Sequence, residues 1–380
     1  MADTVRTLGF PISVSDVRRL PFWTPVFWVL MAGGGYAAYL RYFNGLGAAT
    51  NLSDRFPWGL WIGFDVLCGV GLAAGGFTLV AAVHIFNLER YKPILRPAIL
   101  TAFLGYVLVV VALMLDLGRP DRIWHPLVMW NPHSVMFEVA WCVMLYTTVL
   151  ALEFVPAVFE RFGWKTPLNL LRAISVPLVI LGVILSTLHQ SSLGSLYLIV
   201  PEKLYGLWYT PLMPVLFFIS AICVGLAITI FESWHSSREF GRQIEMPLLS
   251  GMARLLAVLL SMYVTLRLVD LFERGGFGLL LVPRTETYLW LLEMSLLAIP
   301  AVLLFSFRVR HNPQALYACA LMVVFGFIAN RLNVSVTGME AGLGVHYIPK
   351  WTEIAVTLAV VALGFAIFRF AARRFPVFEA

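Results

Sequence analysis

Within ten residues the chain places Asp116, Arg119, Asp121, Arg122 and His125, in the stretch MLDLGRPDRIWH over 114–125. The apolar run AFLGYVLVVVALM lies directly upstream. Two acids, two arginines and an imidazole where such a run ends can donate, accept and transfer protons. Other polar groups fall at the same expected depth: His133, His346, and His189 with Gln190 in STLHQSSLGSLY (186–197). A quinone headgroup asks for one hydrogen-bonding partner near each carbonyl, a proton supply and an apolar slot for its tail. Asp116, Arg119, His125, His189 and Gln190 could provide the first two. A polar cap that stabilises helix ends would use the same residue types.

A second constellation is acidic. Glu138 and Glu153 are 15 residues apart, which on a helix is about 22 Å of rise and about 60° of net rotation. They would sit near opposite membrane faces on a similar side of one helix, as the two ends of a proton path would. Glu232 offers another acid near the inner end. The gap is too long for one hop, so waters or the hydroxyls of Thr147 and Thr148 would have to bridge it. Unrelated interfacial acids paired with arginines would also fit.

Metal chemistry finds little support at this stage. Cys68, Cys142, Cys223 and Cys319 lie singly in apolar segments, without the spacing of an iron–sulfur or zinc site. A b-type haem held by two imidazoles needs both at one depth on facing helices. His84 and His235 fall at inner helix ends, and the other histidines at the outer boundary or in an inner loop. The expectation is therefore a chain with no haem, no iron–sulfur cluster and no other metal.

The elements that must position these residues are membrane helices. The 380 residues are 60% hydrophobic and 13% charged, where soluble domains carry about 25% charge. Twelve tryptophans suit interfacial belts. The net charge of +6 shows no basic stripe with interleaved aromatics, so nucleic acid is excluded as a partner. Ten segments are long and apolar enough to span: 24–44, 57–86, 94–116, 133–157, 171–190, 210–234, 247–273, 286–308, 313–331 and 351–372. The first follows a mixed-charge tail without a small-residue cleavage site, so no cleaved signal peptide is expected. Sixteen Lys and Arg lie on the side holding both termini, against nine on the other, which puts both termini in the cytoplasm. The organisation reads as a cytoplasmic tail over 1–23, a polytopic domain over 24–374 and a cytoplasmic tail over 375–380. CGVGLA (68–73) and CVGLA (223–227) form a faint repeat. It suggests two four-helix bundles, spans 2–5 and 6–9, with spans 1 and 10 peripheral.

Several longer motifs resemble the NrfD/polysulfide-reductase membrane-subunit family: FPWGLWIGFDVLCGVGLAAGGFTL (56–79), LDLGRPDRIWH with WNPHSVMFEVAW (115–141), ALEFVPAVFERFGW (151–164) and LHQSSLGSLY (188–197). The likeness is greatest to the branch serving periplasmic NiFe-hydrogenases. It is specific from about residue 50 to 235 and weaker beyond. The resemblance implies an all-α integral membrane protein of ten spans in the bacterial inner membrane. It implies no bound haem despite the traditional b-type cytochrome label, and a site for menaquinone or ubiquinone near the outer face. It also implies a ferredoxin-like iron–sulfur partner docked outside, beside hydrogenase large and small subunits or another periplasmic oxidoreductase. The motif positions add Asp65 to the quinone set and agree with Glu138, Glu153 and Glu232 as the proton set. A proton or solute transporter and a passive membrane anchor are the competing readings.

Overall fold

The computed structural model describes residues 22–378. The expected N-terminal tail, up to residue 21, and the last two residues of the C-terminal tail lie outside them. Ten long helices carry the chain: α1 Trp23–Asn44, α2 Trp61–Ile85, α3 Lys92–Asp116, α4 Val135–Phe162 and α5 Ser175–Ser195, then α6 Met213–Phe240, α7 Met246–Glu273, α8 Thr285–Leu303, α9 Pro313–Leu343 and α10 Trp351–Arg374. Nine of them, α2 to α10, are long and apolar enough to cross a membrane among the described residues. The tenth expected span, α1, is a helix of 22 residues whose Gly, Tyr and Trp content makes it less apolar. Large apolar side chains such as Val111, Leu145, Ile184, Phe325 and Phe365 stand exposed on the helix surfaces. Nine such helices with their apolar faces outward make a multi-pass integral membrane protein, since the backbone polar groups are satisfied within each helix.

Helices α2 to α5 close one four-helix bundle and α6 to α9 a second, and α1 lies along α10 at the edge, against α2 and α3. The two bundles join where α2 crosses α6, and one glycine of the faint repeat, Gly225, lies at that crossing. A Cβ on Gly75 would lie 2.9 Å from the Gly225 carbonyl oxygen, and one on Gly225 would lie 2.7 Å from the Gly75 nitrogen. Only glycine lets the backbones approach this closely. Helix α2 is also uneven: π-helical over Trp61–Cys68 and Ala81–Ile85, and interrupted at Ala73 and Ala74.

Local chemistry sets the helix starts. Ser134 caps α4 by accepting from the Phe137 amide, and Asn312 caps α9 by accepting from the Gln314 and Ala315 amides at 3.0 and 3.1 Å. Pro247 and Pro313 fall in first turns. Several boundaries differ from expectation: α4 and α6 run on to Phe162 and Phe240, past 157 and 234, and α8 ends at Leu303, before 308. The polar run at the end of α5 is helical through Ser195, because Thr187 and Ser192 donate to the Val183 and Leu188 carbonyls four residues back. The expected loop after residue 331 instead extends α9 through a π-helical turn, Asn333–Thr337. Its polar residues find partners inside the protein.

Candidate functional site

A cavity of about 880 Å³ opens between α2, α3, α4 and the end of α5. Its walls are apolar, with Val66, Leu113, Phe137, Val143 and Leu193 among them. Arg119, Arg122, His125 and Asn131 line it where the α3–α4 connection passes. The volume is that of a small-molecule site, which is commonly about 300–1,000 Å³. Helix α3 stops at Asp116, two residues before Gly118 and four before Pro120, and short 3₁₀ turns follow at Pro120–Arg122 and His125–Leu127. The Trp141 indole donates to the Pro126 carbonyl at 2.9 Å, which ties this connection to α4. Trp124 packs edge-on against His125, ring centroids 4.5 Å apart. Arg119 makes a two-point pair with Asp121, at 3.1 and 3.0 Å. That hydrogen bonding lowers the Asp121 carboxyl below its usual range and raises the Arg119 guanidinium.

Of the six residues expected to bind quinone, Arg119 and His125 line this cavity, and the other four lie elsewhere. Asp65 accepts from Thr357 of α10 at 2.9 Å. Asp116 faces the charges of Arg41 and Glu353, and its Oδ1 is buried without a hydrogen-bond partner. The Arg41 guanidinium donates to the carbonyls of Leu115 and Leu117, closing the end of α3. Glu353, fully buried, accepts from the amides of Asn51 (3.0 Å) and Lys350 (2.8 Å) and from the Tyr347 hydroxyl. Burial pushes the Tyr347 phenol up, so it remains a donor. These contacts turn Asp65 and Asp116 toward α1 and α10. His189 and Gln190 are buried inside the first bundle. The Gln190 amide donates to the Val70 carbonyl at 3.3 Å, and neither His189 ring nitrogen has a hydrogen-bond partner.

The acidic residues are set along the first bundle and its border with the second. Ser192 donates to Glu138 at 2.5 Å, and Thr101 donates to Glu232 at 2.7 Å. Glu232 also lines a cavity of about 50 Å³ at the opposite end of the molecule. Glu153 stands beside Gly182 of α5. The hydroxyls expected to bridge the gap do not turn inward: Thr147 and Thr148 donate to the Val143 and Met144 carbonyls of their own helix and line the large cavity.

One polar cluster was visible in the sequence only as scattered residues. In the second bundle Glu293, fully buried, accepts from Trp208 (2.9 Å), Asn330 (2.8 Å) and Asn333 (2.9 Å). Arg331, also buried, donates to Asn330 (2.6 Å) and Ser220 (2.8 Å), with its guanidinium over the rings of Phe217 and Phe327. The signal was ANRLN over 329–333, where polar residues interrupt an apolar helix. Arg267 and Asp270, three residues apart, do not pair. Asp270 bonds Arg274 and Thr210, and Arg267 bonds the Leu207 carbonyl.

Comparison with known proteins places this geometry. The family described as polysulphide reductase, NrfD, matches residues 48–341. A protein of Escherichia coli named "Probable Ni/Fe-hydrogenase 2 b-type cytochrome subunit" is 33% identical over 342 residues, covering 89% of this chain and 87% of that one. The "Menaquinone reductase, integral membrane subunit" of Nitratidesulfovibrio vulgaris is 29% identical over 395 residues, covering 96% and 93%. A second protein of that organism is 38% identical over 361 residues, 92% of each chain. One of these names corrects the expectation of a haem-free chain. A relative spanning most of its length carries a cytochrome designation, which denotes haem. The expectation had rested on the lack of two imidazoles at one depth. An axial ligand needs an imidazole with a nitrogen to spare. Buried His189 meets that need, and His125 stands on a cavity wall; the large cavity is lined by His125 and not by His189. With the motif stretches, the helical architecture and the match over most of its length in agreement, the chain belongs to the polysulphide reductase NrfD family.

Proposed function

We propose that this chain is the quinone-reactive membrane subunit of a respiratory redox complex of the NiFe-hydrogenase type. The observation that carries the reading is the large apolar cavity with Arg119, Arg122 and His125 on one part of its wall. An isoprenoid tail would lie among the apolar side chains, and the headgroup would meet the cationic and imidazole groups. Electrons would pass between the headgroup and a ferredoxin-like iron–sulfur subunit docked outside. Reduction of the quinone takes two electrons and two protons; Arg119 and Arg122 would stabilise the negative charge that forms first, and His125 can deliver a proton. Asp65 and Asp116 would hold the end of α3 against α1 and α10. Protons would enter from the cytoplasm at Glu153 or Glu232 and leave at Glu138. The chain would sit in the bacterial inner membrane with both termini cytoplasmic, so that the cavity lies toward the periplasm. The names of the menaquinone reductase and hydrogenase relatives support this reading.

The test uses the assembled complex. Arg119→Leu and His125→Ala should each lower quinone-coupled turnover by at least about tenfold, while a soluble dye that accepts electrons from the partner is still reduced at the normal rate. Normal quinone kinetics in both variants would remove the headgroup from this cavity.

A further inference from the structure

At the end of the molecule opposite the α3–α4 connection, α4 passes into α5 through a surface element that the large cavity does not use. Helix α4 closes at Gly163, whose φ of +70° is the left-handed conformation that glycine adopts without strain. Trp164 follows, then a short helix, Lys165–Ala173, and then α5. Length sets the depth of this element. Helix α5 has 21 residues, about 31 Å, which alone covers a hydrocarbon layer of about 30 Å. The short helix before it is therefore left at the level of the lipid headgroups.

Its sequence, KTPLNLLRA, is two-faced. At 3.6 residues per turn, Lys165, Thr166, Asn169 and Arg172 share one side, and Pro167, Leu168, Leu170, Leu171 and the following Ile174 share the other. The protein covers only part of the apolar side: Leu168 is 8% exposed, against 65% for Leu170 and 41% for Ile174. The uncovered stripe continues onto α5 along Val176, Ile180, Ile184 and Leu188, each four residues from the last and all exposed. It thus runs from headgroup depth onto the outer surface of a spanning helix, where a soluble partner cannot follow it. Trp164, also exposed, packs against Phe159 and Phe162 with ring centroids 5.6 Å apart in each case. The charge beside the stripe is uneven. Glu160 pairs with both Arg96 and Arg172 at 3.1 Å, so its carboxylate is committed. Arg161 and Lys165, on either side of the Gly163 turn, are exposed and make no hydrogen bond or ion pair among the described residues.

We propose that the α4–α5 hairpin binds an anionic glycerophospholipid, with its phosphate at Arg161 and Lys165, its glycerol beside Trp164, and its acyl chains along Leu170 and the exposed row of α5. Two uncompensated cations, an interfacial indole and a continuous apolar stripe match the three parts of such a molecule. The preference is for a net negative headgroup over a zwitterionic one, because a choline beside the phosphate would bring a third cation to a place that holds two.

Two measurements on the full chain test this. In nanodiscs of equal parts phosphatidylglycerol and phosphatidylcholine, bromine on the acyl chains of one lipid or the other quenches nearby tryptophan. The share belonging to Trp164 is read as the difference between the unaltered chain and Trp164→Phe. Brominated phosphatidylglycerol should quench it about fivefold more strongly than brominated phosphatidylcholine, and equal quenching would overturn the proposal. The same reading in the assembled complex covers the rival occupant: Trp164 shielded from both lipids there would give this surface to a partner subunit and overturn the proposal as well. The second measurement is native mass spectrometry from detergent with both lipids present. The first lipid retained should be phosphatidylglycerol. Arg161→Gln with Lys165→Gln should lower that preference about 25-fold, about fivefold for each cation removed. Both side chains are exposed and unpaired, so the fold does not depend on them. Arg55→Gln, an equal change of charge at an exposed position between α1 and α2, gives the reference. An unchanged preference in the double variant would overturn the proposal. So would displacement of the lipid by inorganic phosphate at the same concentration, which would make this a site for a free anion.

Discussion

Arg331 shows what a single residue can oblige its neighbours to do. Its guanidinium is buried, and Asn330 connects it to Glu293, so a cation and an anion share one amide as intermediary. Removing one partner leaves the other charge without compensation in a medium of low dielectric constant. Arg331→Met should therefore destabilise the protein by about 3–5 kcal/mol, and Glu293→Gln by less, since the amide keeps one acceptor and its shape. Thermal unfolding in detergent measures both. A double variant, Arg331→Met with Glu293→Gln, should recover part of the loss; strict additivity would mean that the two do not interact. Residue-scale reading of the sequence could identify these side chains but not join them. Glu293 and Arg331 are 38 positions apart, and only the packing of α8 against α9 brings them together. The same limit applied to Asp116 and Arg119. Three positions apart at a helix end, they invite assignment to one pocket, yet the first faces Arg41 of α1 and Glu353 of α10 while the second lines the cavity.

At the scale of the element, hydropathy was enough to find the helices, because a span needs an unbroken apolar length and little else. It failed where polar residues continued a helix. SSLGS (191–195) was expected as the start of a loop; the Ser192 and Ser195 hydroxyls bond their own helix, and the imidazole and amide just before them, His189 and Gln190, are buried. Polarity along a sequence does not say whether a group faces a loop or a protein interior. The crossing of α2 and α6 was legible only as a repeat of small residues, and its test belongs here. Gly225→Ala places a methyl group 2.7 Å from the α2 backbone, where neither helix has a flexible side chain to move. A loss of about 1–3 kcal/mol is expected from overpacking. Gly35→Ala on α1, where nothing lies within 4 Å of the added carbon, should be neutral or mildly stabilising, because alanine is the better helix former. Equal melting temperatures for the two variants would show that the crossing tolerates separation.

For the whole molecule, the all-helical membrane class and the division into two bundles were readable from composition and the repeat, since both follow from where apolar surface must go. Sidedness is a separate matter, carried by loop charge. Reporter fusions at the C-terminus should read cytoplasmic, and fusions in 117–131 or 191–209 should read external. An external C-terminus would reverse the orientation and put the cavity on the cytoplasmic side. The placement of α1 has a temporal consequence. It rests mainly on α10, which is made long after it. Between emergence of the two, the nascent chain must hold its first helix without its permanent neighbour while some 300 residues are threaded into the bilayer. During that interval Asn51 and Trp61 wait for Glu353, whose carboxylate and carbonyl they will bond. Translation that stops before α10 leaves these donors idle and the groove for α10 open to lipid. Helices α1 and α10 act as a clasp that fastens only once α10 has emerged.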